Sequence, residues 1–389
     1  MQIYFINYHK LIDSSGIHIH FLANELEQIG VKCNVCIPWI QEYPEIFGTP
    51  KYRTIPYKDI YSLFNLGKLH KLSGQIIIHA WTPRENVRQL TNYLVKQTGA
   101  PYFVHLEDNE PAIASNRLNL SFDKLQNMPP SRLDRIVHED IIHPLYFRDF
   151  LKSSAGITCI IKTLETFVPG NVKALTIWPA CEPDFFDIPT EPDKRIRELF
   201  KIKNDEILIV YTGNLHASNT AEITELYKSI KLLNNMGHKV KLIRTGSNYC
   251  DYRENLDDII GQYIFEAGSV PSSQLLDYIA AANILVQPGE SNEFNNYRFP
   301  SKLPMYLASG RPVILPPSNL GHYLKDKEEC LFLANGTAEE IVRNVGWLIN
   351  HPEETRRMGQ AGRNFAKNNF NWKKSATELL DFYKTNIYI

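Results

Sequence analysis

Short apolar runs alternating with amphipathic helical patterns constrain this chain more than any other feature. QIYFIN (2–7) is a buried-strand run, and GIHIHFLANELEQIG (16–30) is an amphipathic helix closing on a glycine. KCNVCIP, QIIIHAW, PYFVHLED, GITCII and VKALTIW follow as further strands, with a helix over NVRQLTNYLVKQ (86–97) between two of them. A strand, a helix and another strand in succession imply a parallel sheet with right-handed crossovers.

After the Pro- and acid-rich stretch IPTEPDKR (188–195), the rhythm starts again. EILIVYTG, KVKLIRTG, YIFEAGSV, NILVQPG, RPVILP and ECLFLA read as strands, and NTAEITELYKSIKLLNNMG and SSQLLDYIAAA as helices between them. From 337 onward the chain reads as helical. The pattern predicts two doubly wound, Rossmann-like α/β domains facing across a cleft. The expected boundaries are 1–187, 188–370 and a C-terminal helix, 371–389, crossing back to the first domain. Ligands of such sheets bind at the carboxyl ends of the strands, so the cleft is the default site.

Residues 109–155 interrupt the first domain as a loop followed by helical segments. They read equally as a substrate-facing lid and as a helical pair covering the sheet. A helix over 131–152 carries apolar and basic residues that could meet a lipid carrier; a solvated cover is the other reading.

The chain has 389 residues, 43% of them hydrophobic and 22% charged, with a formal net charge of -1. That balance gives no global field for nucleic acid or acidic membranes. The start, MQIYFINYHK, is too short and polar for a signal peptide. No stretch is long and apolar enough to suggest a membrane span. Six cysteines suggest no disulfide framework, and Cys33 and Cys36 read as buried strand thiols. A reducing, cytoplasmic setting is expected.

Five short segments could carry chemistry. In YTGNLHASNTAEI (211–223), a glycine turn leads into a helix with Ser218 or Asn219 as cap, a helix start suited to phosphate. SSGIHIHF (14–21) repeats the device, with Gly16 permitting close approach to the backbone. His18 and His20 fall two apart, so they share no helix face; a metal pair is not expected and one should pack inward. In RFPSKLPMYLASG (298–310), Ser301 is the expected N-cap and Lys302 a first-turn cation opposing the helix dipole, as suits a lysine aimed at a bound anion. PYFVHLEDNE (101–110) sets His105, Glu107 and Asp108 at the carboxyl end of a strand, where they could move a proton or orient a hydroxyl. His79 ends its own strand in the same way. The dinucleotide, Walker, zincin and nucleophile-elbow motifs are all absent, and no D-x-D offers a metal–nucleotide cage. Aromatics are not interleaved with a basic stripe, which argues against a nucleic-acid partner.

Taken in order, these segments resemble the GT-B glycosyltransferases, specifically the retaining GT4-like group, over nearly the whole chain. SGIHIHFLANELEQIG is similar to that group's first glycine loop and helix, and PYFVHLEDNE to its acceptor-side histidine strand. YTGNLH is similar to the opening of its nucleotide domain. AGSVPSSQLLDYIAAANILVQP resembles its G-x-V…A-D-I-x-V-x-P run, with Asn283 for the usual Asp. SKLPMYLASGRPVI resembles its donor-gripping helix.

The resemblance implies a sugar transferred with retention from a nucleotide-diphosphate donor, a UDP- or GDP-sugar, without metal or other cofactor. The acceptor would be a saccharide, a lipid-linked molecule or a small hydroxyl compound, as in polysaccharide biosynthesis. It implies a cytoplasmic protein that could lie peripherally on the inner face of the membrane. It implies Gly16 near the donor phosphates, Gly213 in the opening turn of the nucleotide domain, Ser301 and Lys302 at the diphosphate, Val270 against the base and His105 near the sugar.

The chain departs from the group's pattern at three further places. Tyr297 and Met305 stand where the group often carries two glutamates, the second commonly a ribose ligand. Asn214 stands where many relatives place an arginine, with His216 close by. Arg244 and Arg298 are the candidates to compensate. The departures leave as alternatives a binding subunit with a degenerate donor site and a GT-B sugar-nucleotide epimerase using Glu107 and Asp108. A pyridoxal-dependent phosphorylase would need a Schiff-base lysine, for which the sequence offers no distinctive context.

Overall fold

The computed structural model describes residues 1–41, 48–65, 75–250 and 259–387. It forms two compact units. The first is Met1–Pro179 with Tyr297–Phe299 and Asn371–Ile389, and the second is Ala180–Asn296 with Pro300–Phe370. Pro183–Asp187, expected in the first domain, therefore goes with the second. Tyr297 and Phe299 pack against the apolar cluster of the first unit that includes Val104 and Ile161.

Seven strands build the sheet of the first unit: β1 (Gln2–Asn7), β2 (Lys32–Ile37), β3 (Arg53–Pro56), β4 (Ile76–Trp81), β5 (Tyr102–Leu106), β6 (Gly156–Cys159) and β7 (Ala174–Thr176). Their order is β3-β2-β1-β4-β5-β6-β7, and neighbours pair in parallel. β1 shows why the strands read as unbroken apolar runs. Ile3 and Phe5 enter the cluster containing Ile19, Leu22 and Leu379. Tyr4 and Ile6 enter the opposite one, with Val87 and Leu90. A strand covered on both faces has no polar face to show.

Two sequence readings need correction here. β3 carries no strand signal: RTIP is short, polar at its start and ends in proline, which only an edge position tolerates. The expected helix over 131–152 is two helices, Pro130–Ile136 and Phe147–Lys152. Pro144 lies between them and denies the backbone an N–H there. The second of the two is a core element, since Phe147, Phe150 and Leu151 are buried against the sheet. Among the described residues no helix is long and apolar enough to cross a membrane.

The second unit has a six-stranded sheet in the order β10-β9-β8-β11-β12-β13. Its strands are β8 (Ile207–Thr212), β9 (Val240–Thr245), β10 (Ile264–Gly268), β11 (Ile284–Val286), β12 (Val313–Leu315) and β13 (Leu331–Phe332). All its pairings are parallel. The order of each sheet reverses direction beside its first strand, which opens a crevice at the strands' carboxyl ends.

Gly30 takes the left-handed conformation expected at the end of the first helix, Ser14–Gln28, with φ +83°. Cys33 and Cys36 are free, buried thiols on β2, and burial pushes both well above the ordinary thiol range. The last helix, Trp372–Ile387, packs on the first: Trp372 stacks on Phe21 with ring centroids 5.3 Å apart.

Candidate functional site

In the first unit, the carboxyl ends of β4 and β5 meet the start of the first helix around one carboxylate. Glu107, just beyond β5, is 8% exposed. It accepts from Trp81 Nε1 at 2.9 Å and from the Ser15 hydroxyl, and lies 3.0 Å from His18 Nδ1. Burial by itself would raise its pKa; the hydrogen bond and charge of His18, then His105 and Ser15, bring it down to about 2. A carboxylate so held stays ionised and does not shuttle protons near neutral pH.

His105 is 1% exposed and stacks on Trp81 at 3.9 Å. Its Nδ1 lies 2.7 Å from Thr158 Oγ1. Its buried Nε2 has no hydrogen-bond partner among the described residues and sits 3.9 Å from Glu107. Burial lowers its pKa to about 3, against the pull of Glu107, so the ring is neutral at pH 7. Trp81, His18, Trp178 and Trp372 help to wall a cavity of about 10 Å³ beside it, roughly the space of one water. The proton work open to His105 in the sequence reading is thus disfavoured, because the ring is buried and its charged form costly. His79 is engaged within the fold: Tyr383 Oη lies 2.6 Å from its Nδ1 and Thr158 Oγ1 3.1 Å from its Nε2.

Asp108 is less enclosed. Burial and the neighbouring Glu107 raise its pKa, against the charges of Arg84 and Arg298. Arg298 is thus an electrostatic neighbour of Asp108 and belongs to the first unit. Glu110 and Arg84 add a buried pair at 3.3 Å.

Gly16 does not serve the purpose its sequence suggests. A Cβ on it would stand 2.5 Å from Leu11 Cα and Leu11 O. The close approach that glycine permits is taken by the chain itself. Both helix histidines are buried, not one. His18 reaches Glu107, while His20 lies 3.1 Å from Tyr52 Oη and 2.9 Å from Asn24 Nδ2.

In the second unit, the carboxyl edge of the sheet collects Gly213, Tyr211 and Lys302. The helix carrying the lysine, Leu303–Ala308, is only six residues long. It is anchored by buried Leu303 and Leu307, and by Tyr306 Oη, which accepts from Thr212 N at 2.7 Å. That bond fixes the helix to the end of β8 and so sets its N-terminal residue over the glycine turn. Lys302 Nζ lies 4.7 Å from the Tyr211 ring centroid and donates to Gln287 Oε1 at 3.1 Å. A Cβ on Gly213 would stand 2.8 Å from Tyr211 Oη and 3.1 Å from Lys302 Nζ. The expected cap, Ser301, is exposed in the preceding turn, and Lys302 itself occupies the cap position. Pro300 O accepts from Leu303 N at 2.9 Å, which gives the helix start a backbone partner in place of a hydroxyl.

The two neighbouring candidates are braces. Arg244, 1% exposed, donates to Tyr227 Oη and Glu266 Oε1 at 2.8 Å each, to Gly213 O at 3.2 Å, and to Asn248. Its guanidinium is committed inside the unit, tying the β8 and β9 turns together. Asn214 Oδ1 accepts from Ser247 N at 2.8 Å, so it too serves the loop. Asn219, at the cap of the following helix, turns its side chain to His216 N at 2.8 Å instead of capping. Val270 lies half-buried in the loop after β10, at the same edge.

Sequence reasoning missed Tyr211, Gln287 and Tyr306 in the second unit, and Ser15 and Trp81 in the first. Each except Tyr306 lies at a strand end or helix start, and that position was the available signal.

Residues 226–381 match the family model described as "Glycosyl transferase-like". Over 356 residues the chain is 27% identical to an uncharacterized glycosyltransferase of Methanocaldococcus jannaschii, MJ1069, covering 87% of this chain and 84% of that protein. The sucrose-phosphate synthase of Thermosynechococcus elongatus superposes with a TM-score of 0.70 at 15% identity, covering 99% of this chain and 98% of that one. Anabaena HepE, solved with UDP and glucose, gives 0.69 at 11%, covering 99% and 100%. Over these residues the chain is similar to glycosyltransferases, and it has the two parallel-sheet α/β domains of the GT-B fold.

Proposed function

We propose that the protein is a retaining, GT4-like glycosyltransferase that moves a sugar from a nucleotide-diphosphate donor to a hydroxyl acceptor without a metal. The observation that carries this reading is the position of Lys302. Its ammonium is held at the carboxyl edge of the second sheet, over a tyrosine ring and beside a glycine turn, and donates to the neutral amide of Gln287. A point charge so placed suits the diphosphate that leaves as the glycosidic bond breaks. The donor would be a UDP- or GDP-sugar. The acceptor, a saccharide, a lipid-linked molecule or a small hydroxyl compound, would be met by the first unit. There Asp108, its pKa raised, is better suited than Glu107 to interact with a sugar hydroxyl.

The test is a thermal-shift panel of UDP, GDP, ADP, TDP and CMP, with and without EDTA. One nucleoside diphosphate should stabilise the protein in EDTA, and at 100 times its dissociation constant the gain is about 2.7 kcal/mol. Product stereochemistry, read from the anomeric proton coupling, then decides retention. A second reading has one specific observation behind it. Arg244 is fully engaged within the fold and Met305 offers no carboxylate, so a binding protein with a degenerate donor site predicts no shift with any nucleotide.

A further inference from the structure

A basic cavity lies in the second unit, at the amino ends of the sheet's strands. It encloses about 570 Å³ and is bounded by Ile207 and Ile284, which begin β8 and β11, and by Pro312, which precedes β12. Lys302 and Gly213 sit beyond the other ends of these strands, roughly 17 Å away along β8. Among the described residues, four arginines line it, Arg311, Arg356, Arg357 and Arg363, against one carboxylate, Glu191.

The innermost, Arg311, is 5% exposed. It donates to the carbonyls of Thr190, Glu191 and Ala280, while its buried Nε has no hydrogen-bond partner among the described residues. Arg363 likewise bonds to the carbonyls of Ala308, Ile188 and Ser309. Room for its guanidinium exists because Gly310, at φ +72°, has no Cβ; one would stand 2.7 Å from Arg363 Nε. Behind them Arg197, also 5% exposed, donates to the neutral Asn283 Oδ1 at 2.9 Å. Carbonyl oxygens accept from most of these N–H groups, and the carboxylates that act on the three charges, Glu191 on Arg311, Asp187 on Arg363 and Glu206 on Arg197, form no hydrogen-bonded ion pair with them. Burial, with Arg363 and Arg197 nearby, brings the pKa of Arg311 down to about 10 against the pull of Glu191. At the rim, Arg356 and Arg357 meet Glu353 and Glu354 at 2.9 and 3.7 Å, in exposed pairs that hold them weakly.

We infer that this cavity binds a small phosphorylated molecule, and that it does so separately from the donor edge of the same unit. A guanidinium fork matches the oxygens of phosphate and of carboxylate, and several such charges together favour the more highly charged phosphate. The volume falls within the range of small-molecule sites. Ile207, Ile284, Leu348 and Ile349 give the rest of the ligand an aliphatic wall. With no aromatic ring among the described residues of the lining, the wall suits a sugar or alkyl moiety better than a stacked base.

Calorimetric titration with inorganic pyrophosphate tests the inference in the Lys302→Ala protein, where the donor edge has lost its cation. One saturable site per chain is expected. Arg356→Ser/Arg357→Ser should weaken it at least tenfold, and so should Asn283→Asp, which adds a carboxylate to the wall at nearly constant shape. Both variants leave Arg311 and its carbonyl bonds intact, and circular dichroism verifies that they fold. Absence of saturable binding in Lys302→Ala protein overturns the inference, as does binding unchanged by either variant.

Discussion

His18 Nδ1 lies 3.0 Å from Glu107 Oε1, tying the first helix to the loop after β5. Together with Trp81 and Ser15 it makes Glu107 a carboxylate fixed by three neighbours. Its folded pKa, about 2, is below the ordinary 4.5. A group depressed in this way contributes fully above its unfolded pKa and loses its contribution as pH falls through the folded one. Glu107 should therefore support the fold above about pH 4.5 and fail between 4.5 and 2. Glu107→Gln should lower stability at pH 7 by about 2 kcal/mol or more, the scale of a lost hydrogen-bonded charge. It should also flatten the acid limb of the stability curve. Urea unfolding at pH 7, 4 and 3 measures both, and a variant whose acid limb matches the parent would refute the assignment.

Gly213 and Lys302 make a paired prediction. The backbone at Gly213 is not in the left-handed region, so alanine there is not strained by its φ. Its methyl would instead press on Tyr211 Oη and Lys302 Nζ. Gly213→Ala should leave the unfolding midpoint within a few degrees and weaken nucleoside diphosphate binding about tenfold or more. Lys302→Ala should remove the thermal shift altogether. If Gly213→Ala bound the diphosphate as well as the parent does, the turn would not be part of the donor seat.

How far the sequence revealed these arrangements depended on how local the causes were. Two parallel sheets were legible, because a strand buried on both faces writes itself as an apolar run, and β1 and β8 do so. β3 was not, since an edge strand of four residues needs no such run. Lys302 was legible as the cation of a helix start, but its tyrosine platform was not. Tyr211 meets it across a long separation in sequence, where the Tyr306–Thr212 bond joins residues 94 apart. Arg244 looked like a phosphate ligand because its charge was visible and its partners, Tyr227 and Glu266, were distant in sequence. Gly16 misled for the same reason: the sequence shows that a close approach is allowed, not which atoms make it.

Gly16 accordingly yields a stability prediction. A methyl there meets backbone atoms of Leu11, not the end of a flexible side chain. Relief requires moving the loop before the first helix, whose Leu11 is buried in the core. Gly16→Ala should cost about 1–3 kcal/mol, the usual range for overpacking. The loss should appear in denaturant unfolding without any nucleotide present. An equally stable variant with weakened donor binding would instead restore the glycine to the phosphate site.

Met305 separates the two readings of the protein. It lies half-buried on the short helix that carries Lys302, three residues further on and so on a neighbouring face. A thioether accepts hydrogen bonds poorly. The resemblance to GT-B transferases puts a ribose-binding glutamate at this position. If a nucleotide occupies the edge beside Lys302, Met305→Glu should gain a charge-assisted hydrogen bond to a ribose hydroxyl. Such a bond is worth about 1.5–3 kcal/mol, so affinity should rise at least tenfold for the preferred nucleoside diphosphate and hardly at all for free pyrophosphate. Equilibrium titration of both ligands against parent and variant measures the difference. A gain confined to the nucleoside places the ribose at Met305 and supports a transferase whose donor is held more weakly than the fold allows. No nucleotide binding by either form would leave the second sheet without a donor and favour a binding protein built on a transferase fold.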